Sequence, residues 1–205
     1  MKSAKSRDTY HHGDLPAALI AATFELIEEN GIHGFSVAEA ARRTGVSISA
    51  PYRHFADRDE LLAACATAAC EELRDRFESA LADQETPAER LAAASAAYVR
   101  FAAERRPMFE ALFGAGLDKS RYPGLEEAAG AVLAAVAGPA VELAPSGDEE
   151  AAGVLVQALT SLAQGHATLL LEGGFGELPQ AVELASERAA AAARALIRGR
   201  SLLVG

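Results

Sequence analysis

The chain has 205 residues, half of them apolar and 6% aromatic, and its formal net charge is −10. Such a length can bury a substantial core in one large or two small domains. Two cysteines exclude a disulfide framework, and the absence of an apolar leader excludes a secretory signal, so we expect a cytoplasmic protein. Abundant Ala and scattered turn signals predict several helices rather than a β fold.

The negative charge is unevenly distributed along the chain. Residues 1–58 contain seven Lys or Arg and seven Asp or Glu, so residues 59–205 carry the whole net charge of −10. DNA would repel an acidic surface. Any contact with nucleic acid is therefore expected in the first 58 residues, with the acidic remainder held away from it.

The N-terminal segment precedes a first helix with clear boundaries. Met1–Tyr10 is polar and carries Lys2, Lys5 and Arg7. It is interpreted either as a disordered leader, which we favour, or as a basic arm that reaches DNA. Asp14 as N-cap and Pro16 in the first turn predict a core-forming helix that stops at Asn30-Gly31.

Two further signals predict a second and a third helix joined by a tight turn. Ser36 and Glu39 form a capping box, and the Ser36 hydroxyl at this helix N-terminus could also contact a phosphate. Thr44-Gly45 predicts the turn, because Gly adopts positive φ without steric cost. A third helix is expected to begin near Ser47. The pattern is typical of a helix-turn-helix, whose second helix enters the DNA major groove.

The expected third helix carries the candidate DNA-reading residues. Its exposed first turn places three side chains toward base edges, and three polar side chains follow one turn later: Ile48, Ser49 and Ala50, then Tyr52, Arg53 and His54. Contact with a thymine methyl group explains an exposed Ile48 better than packing in the core does. Phe55 is assigned to the core. Pro51 is expected to bias Ala50 away from the α-helical region and so to change the tilt of the reading residues.

Three segments, E-E-N-G-I-H-G-F-S-V, R-R-T-G-V-S and P-Y-R-H-F-A-D-R-D-E-L-L, together resemble the TetR family of bacterial transcriptional regulators over roughly residues 10–64. The resemblance implies phosphate contacts for Tyr52 and His54, base contacts for Val37 and Ser47–Ala50, and a phosphate near Arg58. The family usually has Leu where this chain has Pro51. The resemblance also implies a DNA-binding domain at residues 1–58 and a helical effector-binding and dimerisation domain at residues 59–205.

The remaining chain reads as six more helices, which makes an all-α protein of about nine helices. A long helix begins at Asp57, runs to about Leu81 and could act as a lever between the two domains. Later ones are expected at about 86–105, 108–113, 125–144, 148–171 and 178–198, with a kink or an early stop at Gly138-Pro139. Cys65 and Cys70 are expected to be buried. The apolar stretch Ala128–Val141 is too short to cross a membrane.

Candidate ligand-binding residues come from two patterns. The first is an aromatic-rich cluster that fits either a pocket wall or ordinary core: Tyr98, Phe101, Met108, Phe109 and Phe113. The second is a polar stripe on an apolar helix that needs a ligand or another subunit as its partner: Gln157, Thr160 and Gln164. The segment T-S-L-A-Q-G-H resembles, imperfectly, a TetR subgroup with Trp and then His-Gly, since Thr160 replaces the Trp and Gln164 the His. His166 is interpreted as a packed histidine.

The last helix has small residues that permit close helix approach: Ala185, Ala189, Ala192, Ala193 and Ala195. Paired with the preceding helix, it suits a two-fold four-helix interface. Together with the TetR resemblance, which implies a repressor released by a small molecule, the sequence predicts a homodimer on a palindromic operator, with an unknown effector and no cofactor, metal or membrane. The alternative is a small-molecule-binding helical bundle without DNA activity. An enzyme is not expected, because no catalytic, metal-ligand or phosphate-loop spacing occurs.

Overall fold

The structure, a computed structural model, describes residues 14–144, 147–177 and 179–203. These ranges form eight α-helices and contain no strand, so the all-α prediction is confirmed. The helices are α1 Leu15–Asn30, α2 Val37–Arg43, α3 Arg58–Ala82, α4 Pro87–Glu104, α5 Arg106–Phe113, α6 Pro123–Leu143, α7 Glu149–Leu171 and α8 Gln180–Arg198. One helix fewer is present than expected, because residues 47–55 do not form an α-helix. The expected basic arm, with His11 and His12, lies outside the described residues, as do Ser146 and Leu178.

The predicted helix boundaries in the N-terminal part are confirmed by their caps. The Asp14 carboxylate accepts a hydrogen bond from the Ala17 N–H at 3.1 Å, and α1 stops at Gly31, whose φ is 72°. The Ser36 hydroxyl accepts from the Glu39 N–H at 3.2 Å and starts α2. Only this half of the capping box forms, because the Glu39 carboxylate pairs with Arg42 instead. These local contacts satisfy N–H groups that a helix leaves unpaired.

The core of the N-terminal unit extends into the rest of the molecule. It contains α1 and α2 residues together with Phe55, which is buried as predicted. Leu61, Leu62 and Cys65 at the start of α3 join the same cluster, and so does Ala111 of α5. α3 and α5 are thus anchored in the core of the N-terminal unit. The part of the molecule formed by α3 to α8 is here called the body. The domain boundary after residue 58 stays a prediction.

α3 is a 25-residue helix that connects the N-terminal unit with the body. Asp57 caps it by accepting from the Glu60 N–H at 2.8 Å, and the Glu60 carboxylate accepts from the Ala56 N–H. Both cysteines on α3 are buried and free, as predicted. Burial raises the pKa of the Cys65 thiol to about 12. The thiol therefore stays protonated at neutral pH, which makes it a poor nucleophile.

In the body, α4 lies at the centre and packs against α3, α6, α7 and α8. α6 continues through Pro139 to Leu143, so of the two outcomes expected at Gly138-Pro139, a kink or an early stop, the early stop does not occur. On α8, the small residues Ala185, Ala189 and Ala193 are fully buried inside the subunit. The first two share a cluster with Val99 of α4. Their close approach is therefore to α4 of the same chain rather than to a second subunit, which corrects our expectation for these three residues.

Two body helices, α6 and α7, are long and apolar enough to cross a membrane by length and composition alone. α6 exceeds the 14-residue apolar stretch seen in the sequence because Pro123 starts it earlier. Core helices of soluble proteins meet the same criterion, so this finding is weak support for a membrane span. Less than a third of either apolar window is buried in the subunit, which leaves apolar surface on both helices.

Candidate DNA interface and effector pocket

The turn after α2 is built as the sequence predicts. Gly45 has a φ of 73°, which few residues other than Gly adopt. The Gly45 N–H donates to the Arg42 carbonyl at 3.1 Å, and the Val46 N–H donates to the Ala41 carbonyl at 3.0 Å. This pair of bonds is a Schellman motif, which satisfies the last carbonyls of α2. The chain then reverses and leads directly to residue 47.

The segment from Ser47 to His54, here called the reading segment, is a succession of tight turns. The Ala50 N–H donates to the Ser47 carbonyl at 2.9 Å, and a 3₁₀ helix follows at Pro51–Arg53. Pro51 has no N–H to complete the α-helical bond to Ser47, which explains the tighter turn. The expected α-helix is therefore corrected to a shorter element. Ala50 nevertheless keeps α-helical angles, φ −64° and ψ −42°, contrary to the bias expected before a proline.

The reading segment presents a continuous exposed surface. The side chain of Ile48 is 54% exposed and that of Tyr52 is 51% exposed. Ser47, Ser49, Arg53 and His54 are also exposed, while Ala50 is half-buried. Pro51 and Phe55 point into the core and fix the segment to α1. The predicted base-facing and phosphate-facing side chains of this segment are thus solvent-accessible, except for the half-buried Ala50.

Two residues implied in DNA contact, Val37 and Arg58, also have contacts inside the fold. Val37 is only 5% exposed and belongs to the N-terminal core, so its side chain is not available to a base. The Arg58 guanidinium donates to the Ile32 carbonyl at 2.6 Å and lies 4.5 Å from the centre of the Phe35 ring. Arg58 therefore closes the loop between α1 and α2, and the phosphate contact expected for it stays a prediction. Ser36 is exposed beside the α2 N-terminus.

The charged groups around the reading segment are largely paired with each other. Arg43 bonds to both carboxylate oxygens of Glu29, at 2.9 and 2.7 Å, and approaches Glu25 at 3.4 Å. Arg42 is paired with Glu39. Pairing with Arg43 lowers the pKa of Glu29. Within residues 14–58, Arg53 is the one arginine outside the ion pairs found in the structure. It is therefore the main cation of the described surface available to a phosphate.

A cavity of about 170 Å³ lies in the body and is lined by α3, α4, α6 and α7, with the end of α5 at its rim. Three of the predicted ligand-binding residues line it: Tyr98, Phe113 and Thr160. Gln157 instead lines an open groove of about 610 Å³ between α6 and α7. The groove and the cavity share Leu133, Val156 and Thr160. These three side chains therefore lie between the cavity and the groove.

The other residues of the predicted aromatic-rich cluster lie in the core beside the cavity and do not line it. Phe101 is fully buried in the core, and Phe109 packs edge-on against Tyr98 with ring centres 6.1 Å apart. Met108 packs on the same core. The Tyr98 hydroxyl donates to the Gln164 side-chain oxygen, which gives the predicted polar stripe one internal partner. Burial also raises the pKa of Tyr98. Phe101, Met108 and Phe109 are thus core residues rather than wall residues.

The structure identifies cavity residues that sequence reasoning missed. Most are apolar positions at helical spacing, including Leu73, Phe77, Val136 and Leu159. Lys119, in the loop after α5, is the one charged residue of the lining. His166 was expected to be packed, and its ring stacks on Phe175 with centres 6.0 Å apart. Within the described ranges, no group of three His, Cys, Asp or Glu could hold a metal ion.

Comparisons with known proteins agree with both halves of this architecture. Residues 19–65 match the model of the bacterial regulatory proteins, tetR family. Residues 91–196, about half of the chain, match that of the tetracyclin repressor-like C-terminal domain. No curated protein matches the chain significantly.

Solved structures share the fold along nearly the whole chain. A protein of unknown function from Rhodococcus sp. RHA1 is 28% identical, with a TM-score of 0.77 over 94% of this chain and 98% of that one. The regulator FadR from Bacillus subtilis, in complex with stearoyl-CoA, is 18% identical, with a TM-score of 0.67 over 88% and 96%. PfmR from Thermus thermophilus is 20% identical, with a TM-score of 0.61 over 87% and 96%. The chain belongs to the TetR family and is a ligand-responsive, DNA-binding transcriptional regulator.

Proposed function

We propose that the protein is a homodimeric repressor that binds a palindromic operator and leaves it when a small molecule enters the cavity of the body. The observation that carries the proposal is that α3 and α5 contribute residues both to the N-terminal core, beside the exposed reading segment, and to the lining of an apolar cavity. An effector that binds one arrangement of these helices better than another shifts the population toward it. Neither element of the mechanism requires catalytic chemistry.

At the DNA, the reading segment divides into two functions. Ile48, Ser49 and Ala50 lie where side chains can meet base edges, with Ser47 beside them, and an apolar side chain suits the thymine methyl. Tyr52 and His54 carry donors that suit phosphate oxygens, and Arg53 adds a positive charge. Ser36 contributes a second, separate phosphate contact at the α2 N-terminus. Phosphate contacts set position and orientation, whereas base contacts set sequence preference.

The link between cavity and DNA runs through α5 as well as through α3. Phe113 lines the cavity, while Ala111, two residues earlier, is buried in the N-terminal core. Gly114, the residue after Phe113, lies so close to the α1–α2 loop that a Cβ added to it would be 3.4 Å from Ile32 Cγ2. The carbonyl of that same Ile32 accepts from Arg58. A ligand that moves Phe113 would therefore displace the loop that supports α2.

Dimerisation is proposed through the outer faces of α7 and α8. Leu169 near the end of α7 is 52% exposed, and Leu184 near the start of α8 is also exposed. Since both helices pack on α4 with their other faces, a second subunit would cover these leucines in a four-helix arrangement. Two reading segments are needed because one short element makes few base contacts.

A mobility-shift assay with DNA flanking the protein's own gene, run at two salt concentrations, tests the proposal. We expect sequence-preferring binding that weakens about tenfold when salt is raised about fourfold, since the two Arg53 side chains of a dimer release about two counterions. Tyr52→Phe should weaken binding of the dimer about a hundredfold and similarly on all sequences, because it removes one donor to a charged oxygen from each subunit. Tyr122→Phe, remote from the reading segment, is the matched control.

The alternative function predicts a different outcome of the same assay. A helical bundle that only binds small molecules would show no sequence-preferring, salt-sensitive binding at either concentration. A Tyr52→Phe variant with altered base preference and unchanged general affinity would contradict the division of the reading segment into phosphate and base contacts.

A further inference from the structure

The cavity of the body offers an apolar interior for a ligand. Its walls are aliphatic and aromatic side chains of four helices, such as Leu73, Phe77, Leu91 and Val136. A volume of about 170 Å³ is close to that of an engineered cavity that holds benzene, so it accommodates roughly six to eight carbon atoms. Burying such a hydrocarbon is favourable without any directional contact.

The hydroxyl groups of the wall cannot bind an anion, because each already uses its proton. Ser95 donates to the Leu91 carbonyl at 3.0 Å, and Thr160 donates to the Val156 carbonyl at 2.8 Å. The Tyr98 hydroxyl donates to Gln164. These groups can still accept a hydrogen bond, whereas a carboxylate needs donors. An anionic group is therefore disfavoured in the interior of the cavity.

The rim of the cavity, unlike its apolar interior, carries a positive charge. Lys119 is the one charged residue of the lining, and its ammonium lies 5.9 Å from the centre of the Phe113 ring. The adjacent carboxylate of Asp118 is occupied in its own turn, where it accepts from the Ser120 N–H at 3.2 Å and hydroxyl at 2.7 Å. In the described ranges, Lys119 does not take part in the ion pairs of the surrounding helices. A positive charge thus marks the exit from an apolar chamber.

We propose that the effector is an amphiphilic carboxylate whose hydrocarbon part fills the cavity and whose carboxylate pairs with Lys119. The regulatory role of this ligand rests on the proposed function, whereas its binding to the cavity does not depend on DNA. It also explains the position of Lys119, six residues after Phe113 on the segment that follows α5. Binding there would hold the segment against the body.

Calorimetric titration of the purified protein with a matched ligand series tests the proposal. Octanoate should bind at least about tenfold more tightly than 1-octanol, which has the same chain without the charge. From butanoate to octanoate, each added methylene should tighten binding about fourfold, the factor that corresponds to its burial. These comparisons use the wild-type protein and do not depend on any variant folding.

Variants then assign the charge to one side chain. Lys119→Met keeps the length of the side chain and should bind octanoate about tenfold more weakly, with 1-octanol unchanged, while Lys119→Arg should restore octanoate binding. Arg121→Met, in the same 3₁₀ turn but outside the lining, should have no effect.

Three outcomes would overturn the inference: equal affinity for octanoate and 1-octanol, no dependence on chain length, or equal loss in the Lys119→Met and Arg121→Met variants. Failure of the proposed function looks different. If octanoate binds through Lys119 but does not release DNA, the site stands and its role as an effector site does not. If DNA binds and octanoate does not, the regulator stands and the carboxylate inference fails.

Discussion

Arg58 supports the α1–α2 loop by two contacts at once. Its guanidinium donates to the Ile32 carbonyl at 2.6 Å and stacks 4.5 Å from the centre of the Phe35 ring. A charged donor and a cation–π contact at a half-exposed site together contribute about 1–2 kcal/mol. Arg53, five residues earlier, is exposed and makes neither kind of contact in the described structure. We therefore propose separable roles for the two arginines, one in folding for Arg58 and one in DNA binding for Arg53.

Replacing each arginine by methionine should separate the two roles. Arg58→Met should lower the free energy of unfolding by about 1–2 kcal/mol, measured by denaturant titration. Arg53→Met should change it by less than about 0.5 kcal/mol, while weakening DNA binding and reducing its salt dependence. An Arg58→Met variant of unchanged stability that loses DNA affinity would restore the phosphate contact implied by family resemblance.

For single residues, contacts between neighbours in the sequence were predictable, whereas contacts between residues far apart in the sequence were not. The caps formed by Asp14, Ser36 and Asp57 are confirmed because each partner lies within three residues. The burial of Val37 and the pairing of Arg58 with Ile32 depend on how α1, α2 and α3 pack. No spacing rule reports such packing, so a motif position alone indicated DNA contact for both residues.

Among the elements, the reading segment differs most from expectation. Its turns are tighter than an α-helix because Pro51 lacks the N–H that would bond to the Ser47 carbonyl, and the Ala50 N–H takes that carbonyl instead. Pro51 is also fully buried, which ties the segment to the core. The position and twist of Ile48 and Ser49 therefore depend on this residue.

Pro51→Leu should convert the reading segment into about one turn more of α-helix, since the substituted residue regains an N–H at a position where the family usually has Leu. Backbone chemical shifts of residues 47–54 would report the conversion. Base preference should change more than general affinity, because the base-facing side chains rotate while the phosphate donors remain. Unchanged chemical shifts in this segment would show that contacts other than the missing N–H determine the turns.

α4 and α8 are joined by an ion pair between Glu89 and Arg194. Both carboxylate oxygens accept from Arg194, at distances of 2.7 to 2.9 Å, and this pairing lowers the pKa of Glu89. A group whose pKa is lowered by folding stabilises the protein above its ordinary value of 4.5 and loses that contribution as the pH falls. The pair is well exposed, so its contribution is at most about 1 kcal/mol.

Glu89→Gln should therefore destabilise the protein slightly near neutral pH. The difference from wild type in free energy of unfolding should shrink toward zero as the pH falls below 4.5, where wild-type Glu89 becomes protonated. Glu85→Gln, in the preceding loop, is a control that should show no difference at either pH. A Glu89→Gln effect that persists in acid would indicate a packing role rather than an ionic one.

The helices themselves were predictable, but the assignment of their faces was only partly so. Caps and prolines mark the ends of α4, α7 and α8 within one or two residues. By contrast, an apolar position at helical spacing reads the same whether it fills a core, as Phe101 does, or lines a cavity, as Leu73 does. Small residues on α8 likewise fit contact with a second subunit or within the same one, and only the packing shows that Ala185, Ala189 and Ala193 are buried inside the subunit.

On the scale of the whole molecule, the proposed dimer places two reading segments in a fixed relation. Leu169→Glu should convert dimers into monomers, since it introduces a charge into the proposed α7–α8 interface, and operator affinity should fall with it. Leu133→Glu on α6 is the matched control, because Leu133 is 51% exposed and Leu169 is 52% exposed. Light scattering after gel filtration measures both. Monomers of the Leu133 variant alone would move the interface to α6.

Selection of bound DNA from a randomised library tests the central claim most directly. A symmetric pair of reading segments should enrich an inverted repeat whose half-site centres are one helical turn apart, about 34–36 Å, or a multiple of that distance. Enrichment should weaken as salt is raised. Recovery of no preferred sequence, or of one without two-fold symmetry, would contradict the account of the protein as a dimeric DNA-reading regulator.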